Sequence, residues 1–216
     1  MLAFTNTEYT HAETIAMMRA HVAADELVKG QYWVDGKGCA VGCMTKSSDH
    51  SRYEPMFGIP AMIAGLEDEI FEGLDNGEAK AWPIQFLEAI KPGADLSLVA
   101  PRFMIWTLTD PEHGVARFND DASIVNVAKT WQRVVDGDMP TSEDWSAAAS
   151  AAASAAWSAA RRAAASAASA ASGTNSAAWI AASGANSAAW IAARSAAYRA
   201  MRDKLLALLA EAPVRA

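Results

Sequence analysis

Cysteine is scarce in this chain: Cys39 and Cys43 are the only two in 216 residues. That excludes the multi-bridge framework of small secreted domains, so both are expected as reduced thiols. Long apolar runs are missing as well. The uncharged stretch from Ala147 to Ala160 is Ala and Ser, which partition weakly into lipid, and Arg161-Arg162 ends it short of the ~20 apolar residues a span needs. The opening MLAFTNTEYTHAE lacks a basic region followed by an apolar core, so no secretory signal is read from it. Positive charge is short too, with 18 Lys and Arg against 25 Asp and Glu for a net charge of −7. Affinity for a phosphate backbone comes from cations replacing counterions, so a nucleic-acid partner is not expected. A soluble, cytoplasmic protein without a membrane partner follows as the expectation. A small anionic ligand is still open, because one local pocket can oppose the global sign.

What the chain does have changes character at one place. Residues 1–141 show the mixed usage of a globular domain, whereas residues 142–216 are Ala and Ser with sparse Trp and Arg. The expected division is a mainly helical body over 1–141, with a short β-ribbon, and a helical tail over 142–216. In the body, Thr10-His11-Ala12-Glu13 matches a capping box that opens a helix running to about Lys29, where Gly30 stops it. His21 and Asp25 share a face of that helix as a surface pair. Ile59-Pro60 opens a further helix with Met62, Ile63, Leu66, Ile70, Phe71 and Leu74 inward and Glu67, Asp68, Glu69 and Glu72 on a solvated side. Asn76-Gly77 reads as a turn and Pro83 to Ile90 as a helix. Pro101 is expected to kink or divide the apolar helix that follows Asp95. Asp136-Gly137 ends the last helix of the body.

Chemistry concentrates between Tyr32 and Glu54, in YWVDGKGCAVGCMTKSSDHSRYE. Gln31 to Val34 is the best strand candidate, and Asp35-Gly36 marks a turn. In GKGCAVGC, Gly36, Gly38 and Gly42 allow positive φ or close backbone approach, and Lys37 adds a cation among exposed amides, which suits an anionic group. The spacing matches neither a Walker loop nor a dinucleotide fingerprint. A tight turn packed on the core explains the glycines equally well. Cys39 and Cys43 stack on one face if the segment is helical. They read as buried packing thiols, as a nucleophile Cys39 with His50 as base and an acid behind it, or as a zinc site that needs two more ligands, of which His50 is one candidate, without the usual Cys-x2-Cys knuckle or a second pair. Ser47-Ser48-Asp49 offers N-cap residues for a short turn that sets His50 and Glu54 on one side.

The tail repeats. NSAAWIAASGA from Asn175 recurs as NSAAWIAARSA from Asn186, and Trp157, Trp179 and Trp190 share this 11-residue step. Eleven residues are just over three helical turns, so the indoles form one slowly drifting stripe. Alanine favours the helix and an Ala/Ser surface admits a close neighbour, so a homo-oligomer through the tail is expected. A fold-back is expected at Ser172-Gly173-Thr174-Asn175 or at Ser183-Gly184-Ala185-Asn186. The final segment, Tyr198 to Leu209, regains Met and Leu and should dock on the body or on another subunit.

At GKGCAVGC, followed by His50, Tyr53-Glu54, Gly58-Ile59-Pro60, Leu66-Glu67-Asp68, Ile70-Phe71-Glu72-Gly73-Leu74 and Gly93-Ala94-Asp95-Leu96-Ser97, the chain resembles a family of uncharacterised bacteriophage and bacterial proteins with Ala-rich tails. The resemblance covers most of residues 15–110. By association it implies a phage accessory task such as countering host defence, for instance as an oligomeric sponge for nucleotide second messengers.

The sequence therefore reads first as a non-catalytic binding protein for a small anionic, nucleotide-like ligand. Lys37 and the glycine amides, Gly38 among them, would meet the anion in the segment that holds Cys39 and Cys43, Tyr32 or Trp33 would cover an aromatic part, and His50, Tyr53 and Glu54 would line the opposite wall. No cofactor and no bound metal are expected. The alternatives are a cysteine-dependent hydrolase or transferase using Cys39 and His50, and a structural protein whose tail is the working part.

Overall fold

The computed structural model describes residues 2–118, 122–150 and 176–215, with the helical backbone alone for 176–193. The fold is mainly α with one small two-stranded antiparallel sheet. The chain forms two compact units, Met1–Phe103 with Tyr198–Ala216, and Met104–Ala197. The division therefore does not fall at 141/142, and the last segment of the tail belongs to the first unit. No helix among the described residues is long and apolar enough to cross a membrane.

The first unit begins with α1 (His11–Ala23), opened by the expected capping box: the Glu13 amide donates to Thr10 Oγ1 and the Thr10 amide to Glu13 Oε2. The helix ends earlier than Gly30, because Asp25 takes φ 55° and turns the chain out. His21 then pairs with Glu26 at 2.5 Å and Asp25 with Lys80, so the expected His21–Asp25 pair does not form. Strands β1 (Trp33–Val34) and β2 (Lys37–Gly38) form a hairpin in which Asp35 (φ 49°) and Gly36 (φ 84°) supply the two positive angles of a type I′ turn. Helix α2 (Ala40–Thr45) follows at once, then a 3₁₀ turn (His50–Arg52), α3 (Tyr53–Phe57), α4 (Ala61–Gly73) and α5 (Asn76–Ala89).

Two expectations about proline are corrected. Asn76-Gly77 is the first turn of α5 and not a loop, and Pro83 lies inside that helix. Pro83 forfeits one backbone hydrogen bond, but the same helix face buries Ala79, Trp82, Phe86 and Leu87, and that burial offsets the loss. Pro101 does not divide α6 (Val99–Thr109): it sits in the first helical turn, where its missing amide has no partner to lose.

α2 packs against α1, α3 and α4, and α5 packs against α1 and α4. The core they enclose includes Trp82, Tyr53, Phe57, Phe71, Phe86, Ile63 and Ile70, all essentially free of solvent. Met62, expected inside, is exposed at 39%. From Tyr198, the last stretch of the long C-terminal helix lies on this core. Leu205 and Leu209 are fully buried, Arg199 pairs with Asp75 and Glu78, and the Tyr198 hydroxyl donates to Glu69.

In the second unit, α7 (Ala122–Val135) stops at Gly137 (φ 83°), as expected from Asp136-Gly137. A helix described over 142–150, α8, opens with Thr141 and Asp144 in reciprocal hydrogen bonds. Trp131 of α7 packs on Trp145 at 4.5 Å, and Arg133 pairs with both Asp138 and Asp144. The C-terminal helix, α9 (Ser176–Glu211), runs unbroken through 183–186, so no fold-back occurs there. Gly184 costs about 1 kcal/mol of helix propensity, which the surrounding alanines absorb. The other expected fold-back, at 172–175, Trp157, and the side chains of Trp179 and Trp190 lie outside the described residues.

Candidate functional site

The site starts from a backbone crossing. A Cβ on either Gly38 or Gly42 would collide with the Tyr32 carbonyl oxygen. The two glycines therefore let the strand segment lie directly on β2 and the start of α2. That close approach uses their open space, and both amides already have partners, Gly38 donating to the Glu26 carbonyl and Gly42 to Cys39 Sγ. The Cys39 amide donates to the Gln31 carbonyl at 2.7 Å, which fixes Cys39 as the N-cap of α2. Its Sγ accepts from the Gly42 amide at 3.3 Å and is otherwise turned into the body, where Cys39 is 1% exposed.

Asp49 holds the next side chain in place. Its carboxylate accepts the Ser51 amide and hydroxyl and so starts the 3₁₀ turn that carries His50. His50 Nε2 lies 3.7 Å from Cys39 Sγ, and the Tyr32 ring stands edge-on to the imidazole at 4.9 Å. The third member comes from α4. One ligand-type atom each from Cys39, His50 and Asp68 lie within 4.8 Å of one another. Sequence reading places Asp68 on a solvated face, whereas its Oδ1 is buried and without a hydrogen-bond partner.

Behind this triad lies a second surprise. Glu67, also expected on the solvated side, is 0% exposed, and neither carboxylate oxygen has a hydrogen-bond partner. The buried Tyr53 hydroxyl beside it also lacks a well-formed hydrogen bond, although it stands close enough to Glu67 to favour the carboxylate. A helical count holds the missed signal: Glu67 is four residues from both Ile63 and Phe71, in the middle of the apolar stripe of α4. Trp82 pins that turn by donating its Nε1–H to the Glu67 carbonyl at 2.9 Å.

Burial here disfavours negative charge. Burial pushes the Glu67 carboxyl well above the usual range, the neighbouring Asp68 adds to the rise, and the Tyr53 phenol opposes it. Burial also drives the Cys39 thiol far up, with Asp68 and Glu67 reinforcing it against the Gly42 amide. Tyr53 rises for the same reasons, burial first and then Glu67. Cys43 is pushed up to about 11 by burial and points elsewhere, toward the Glu26 and Gly38 carbonyls.

Of the residues expected at one site, Tyr32, Cys39, His50 and Tyr53 do gather here. Lys37 is exposed on the hairpin, and Trp33 stands edge-on to His21. Glu54 is half-buried, with its carbonyl capping Gly58. Outside the triad a cleft of about 360 Å³ is lined by Gly30, Gln31, Tyr32, Asp68, Glu69 and Glu72. It carries three carboxylates and no cationic side chain among these residues. Compared with known protein families, curated proteins and solved structures, the chain matches none.

Proposed function

We propose that the body binds a positively charged ligand at the Cys39–His50–Asp68 site, which it reaches through the acidic cleft beside Tyr32. The observation that carries this reading is the group of buried oxygens on Glu67, Asp68 and Tyr53 that lack a well-formed hydrogen bond, with one another and the Cys39 thiol close by. Each polar group left unmade in the interior costs about 1–3 kcal/mol, more when it is charged. A ligand that brings positive charge and donors recovers that energy, and an anion adds to it. The local sign thus favours a cation over the anionic, nucleotide-like ligand expected from the glycines and Lys37. A counter-defence role, a cytoplasmic location and self-association through the Ala/Trp tail are separate proposals, supported by the resemblance and the sequence alone.

Native mass spectrometry of gently purified protein tests the proposal. The expected result is a retained cationic species, lost on denaturation and absent from Asp68→Asn. A retained phosphate-bearing species would overturn it. So would a bare protein whose melting temperature responds neither to Zn²⁺ nor to spermidine. The same spectra give the oligomeric state.

One observation favours a second reading, thiol chemistry: the 3.7 Å Cys39–His50 approach, with Asp68 as the acid that sequence could not name. Its weakness is the thiol itself, which burial and two carboxylates keep protonated. Iodoacetamide labelling against pH is expected to show Cys39 reacting no faster than a free thiol near pH 6. A rate plateau reached below pH 7 would restore the nucleophile.

A further inference from the structure

We infer that the cation this site is built for is a zinc-type metal ion, held by Cys39 Sγ, His50 Nε2 and an Asp68 carboxylate oxygen with a fourth position open. The inference rests on the cationic reading above and goes further by naming the ion class and its donors. Donor type makes the choice. An organic amine gains from the carboxylates but has no use for sulfur, whereas thiolate, imidazole and carboxylate together form a mixed set that suits zinc over magnesium or calcium.

Distance agrees with donor type. Zn–S and Zn–N bonds of roughly 2.3 and 2.1 Å at a tetrahedral angle place sulfur and nitrogen about 3.6 Å apart. Cys39 Sγ and His50 Nε2 stand at 3.7 Å. The three donors come from three separately anchored elements: the N-cap of α2, a turn fixed by Asp49, and the middle of α4. Metal entry is balanced simply: the Cys39 S–H bond breaks, the S–Zn bond forms, and the proton leaves to solvent. Fully buried Glu67, with both carboxylate oxygens unpartnered, then has a dipositive neighbour to offset it. Three protein ligands with an open fourth position are the arrangement of reactive and not purely structural zinc sites, and Asp68, one of the three, also lines the cleft beside Tyr32.

The zinc-free full chain, dialysed against chelator, is titrated with Zn²⁺ against a chromophoric competitor and separately with Co²⁺. The expected result is one ion per chain, with a cobalt–thiolate charge-transfer band in the near ultraviolet. Cys39→Ser should remove the band, and His50→Gln should weaken zinc binding by roughly 100-fold. Cys43→Ser should change neither, because Cys43 faces the Glu26 and Gly38 carbonyls. His50 is only half-buried, so its variant keeps the test alive should the Cys39 variant fail to fold, which circular dichroism reports. Zinc binding that is indifferent to His50→Gln overturns the inference, as does a thiolate band lost with Cys43→Ser instead. A chain that takes up spermidine in an Asp68-dependent way and no zinc overturns this inference and leaves the cationic reading intact. A chain that binds neither removes both.

Discussion

Gly42→Ala is expected to unfold the body, the largest effect of any single methyl group here. The added Cβ would fall inside the van der Waals radius of the Tyr32 carbonyl oxygen and crowd Cys39 Sγ at 3.4 Å. Neither neighbour can yield cheaply. Tyr32 is tied to Cys39 by a backbone hydrogen bond, and every residue of α2 is buried. In an interior packed to crystal-like density, relief means separating the hairpin from α2, so a loss above about 4 kcal/mol is expected. Urea unfolding followed by circular dichroism measures it. The internal control is Gly65→Ala on α4, where an added Cβ meets nothing within 4 Å. That change should stabilise by about 0.5–1 kcal/mol, since alanine loses less backbone entropy in a helix. Equal effects at the two positions would show that the Tyr32 crossing is not what Gly42 serves.

Ending the chain at Ala197 is expected to be nearly as damaging, although composition assigns those last residues to an appendage. Leu205 and Leu209 are fully buried and Leu208 is 6% exposed. At roughly 1.5–3 kcal/mol per buried leucine, the three contribute roughly 5–9 kcal/mol. That is an upper value, because a denatured chain is already partly collapsed. It is still comparable with the 5–15 kcal/mol that separates a typical folded domain from its unfolded chain. Backbone bonds add to the loss. The Asp95 amide donates to the Pro213 carbonyl at 2.8 Å and the Arg215 amide to the Gly93 carbonyl at 3.0 Å, while Gly93 donates to Ala3. Both ends of the chain are thereby knitted to the turn that holds Gly93 and Ala94. The exposed ion pairs of Arg199 with Asp75 and Glu78 contribute little by comparison. The shortened chain should expose apolar surface and bind anilinonaphthalene sulfonate. Leu209→Ala, the milder change, should cost about 2–5 kcal/mol in a denaturation curve. A shortened chain that melts where the full chain does would return the segment to the role of appendage.

The sequence made half of the candidate site visible. Cys39 and His50 stand out because cysteine and histidine are rare in this chain and close together. Tyr53 follows from its position on the next turn. Asp68 and Glu67 were hidden by their company: four acids in six positions of α4 look like a solvated face. Counting in steps of four from Ile63 places Glu67 inward, but nothing local says that its neighbour Asp68 meets a thiol and an imidazole from two earlier elements. The glycines illustrate the opposite case. Their spacing is legible as a need for space, and the object occupying that space, the Tyr32 carbonyl, is not.

What the sequence alone determined is local. The capping pair Thr10–Glu13, the Asp35-Gly36 turn and the Gly137 stop all depend on residues within a few positions of one another, and each occurs where it was read. Helix ends without such a device shifted: α1 ended at Ala23 and not near Lys29, α5 ran through Pro83, and α9 ran through Gly184. Only tertiary structure decided that the last leucines belong to the body and that Asp68 closes the Cys39–His50 pair. Burial acts between surfaces far apart in the chain, and its few kcal/mol per side chain outweigh the tenths that a propensity or a single turn residue contributes.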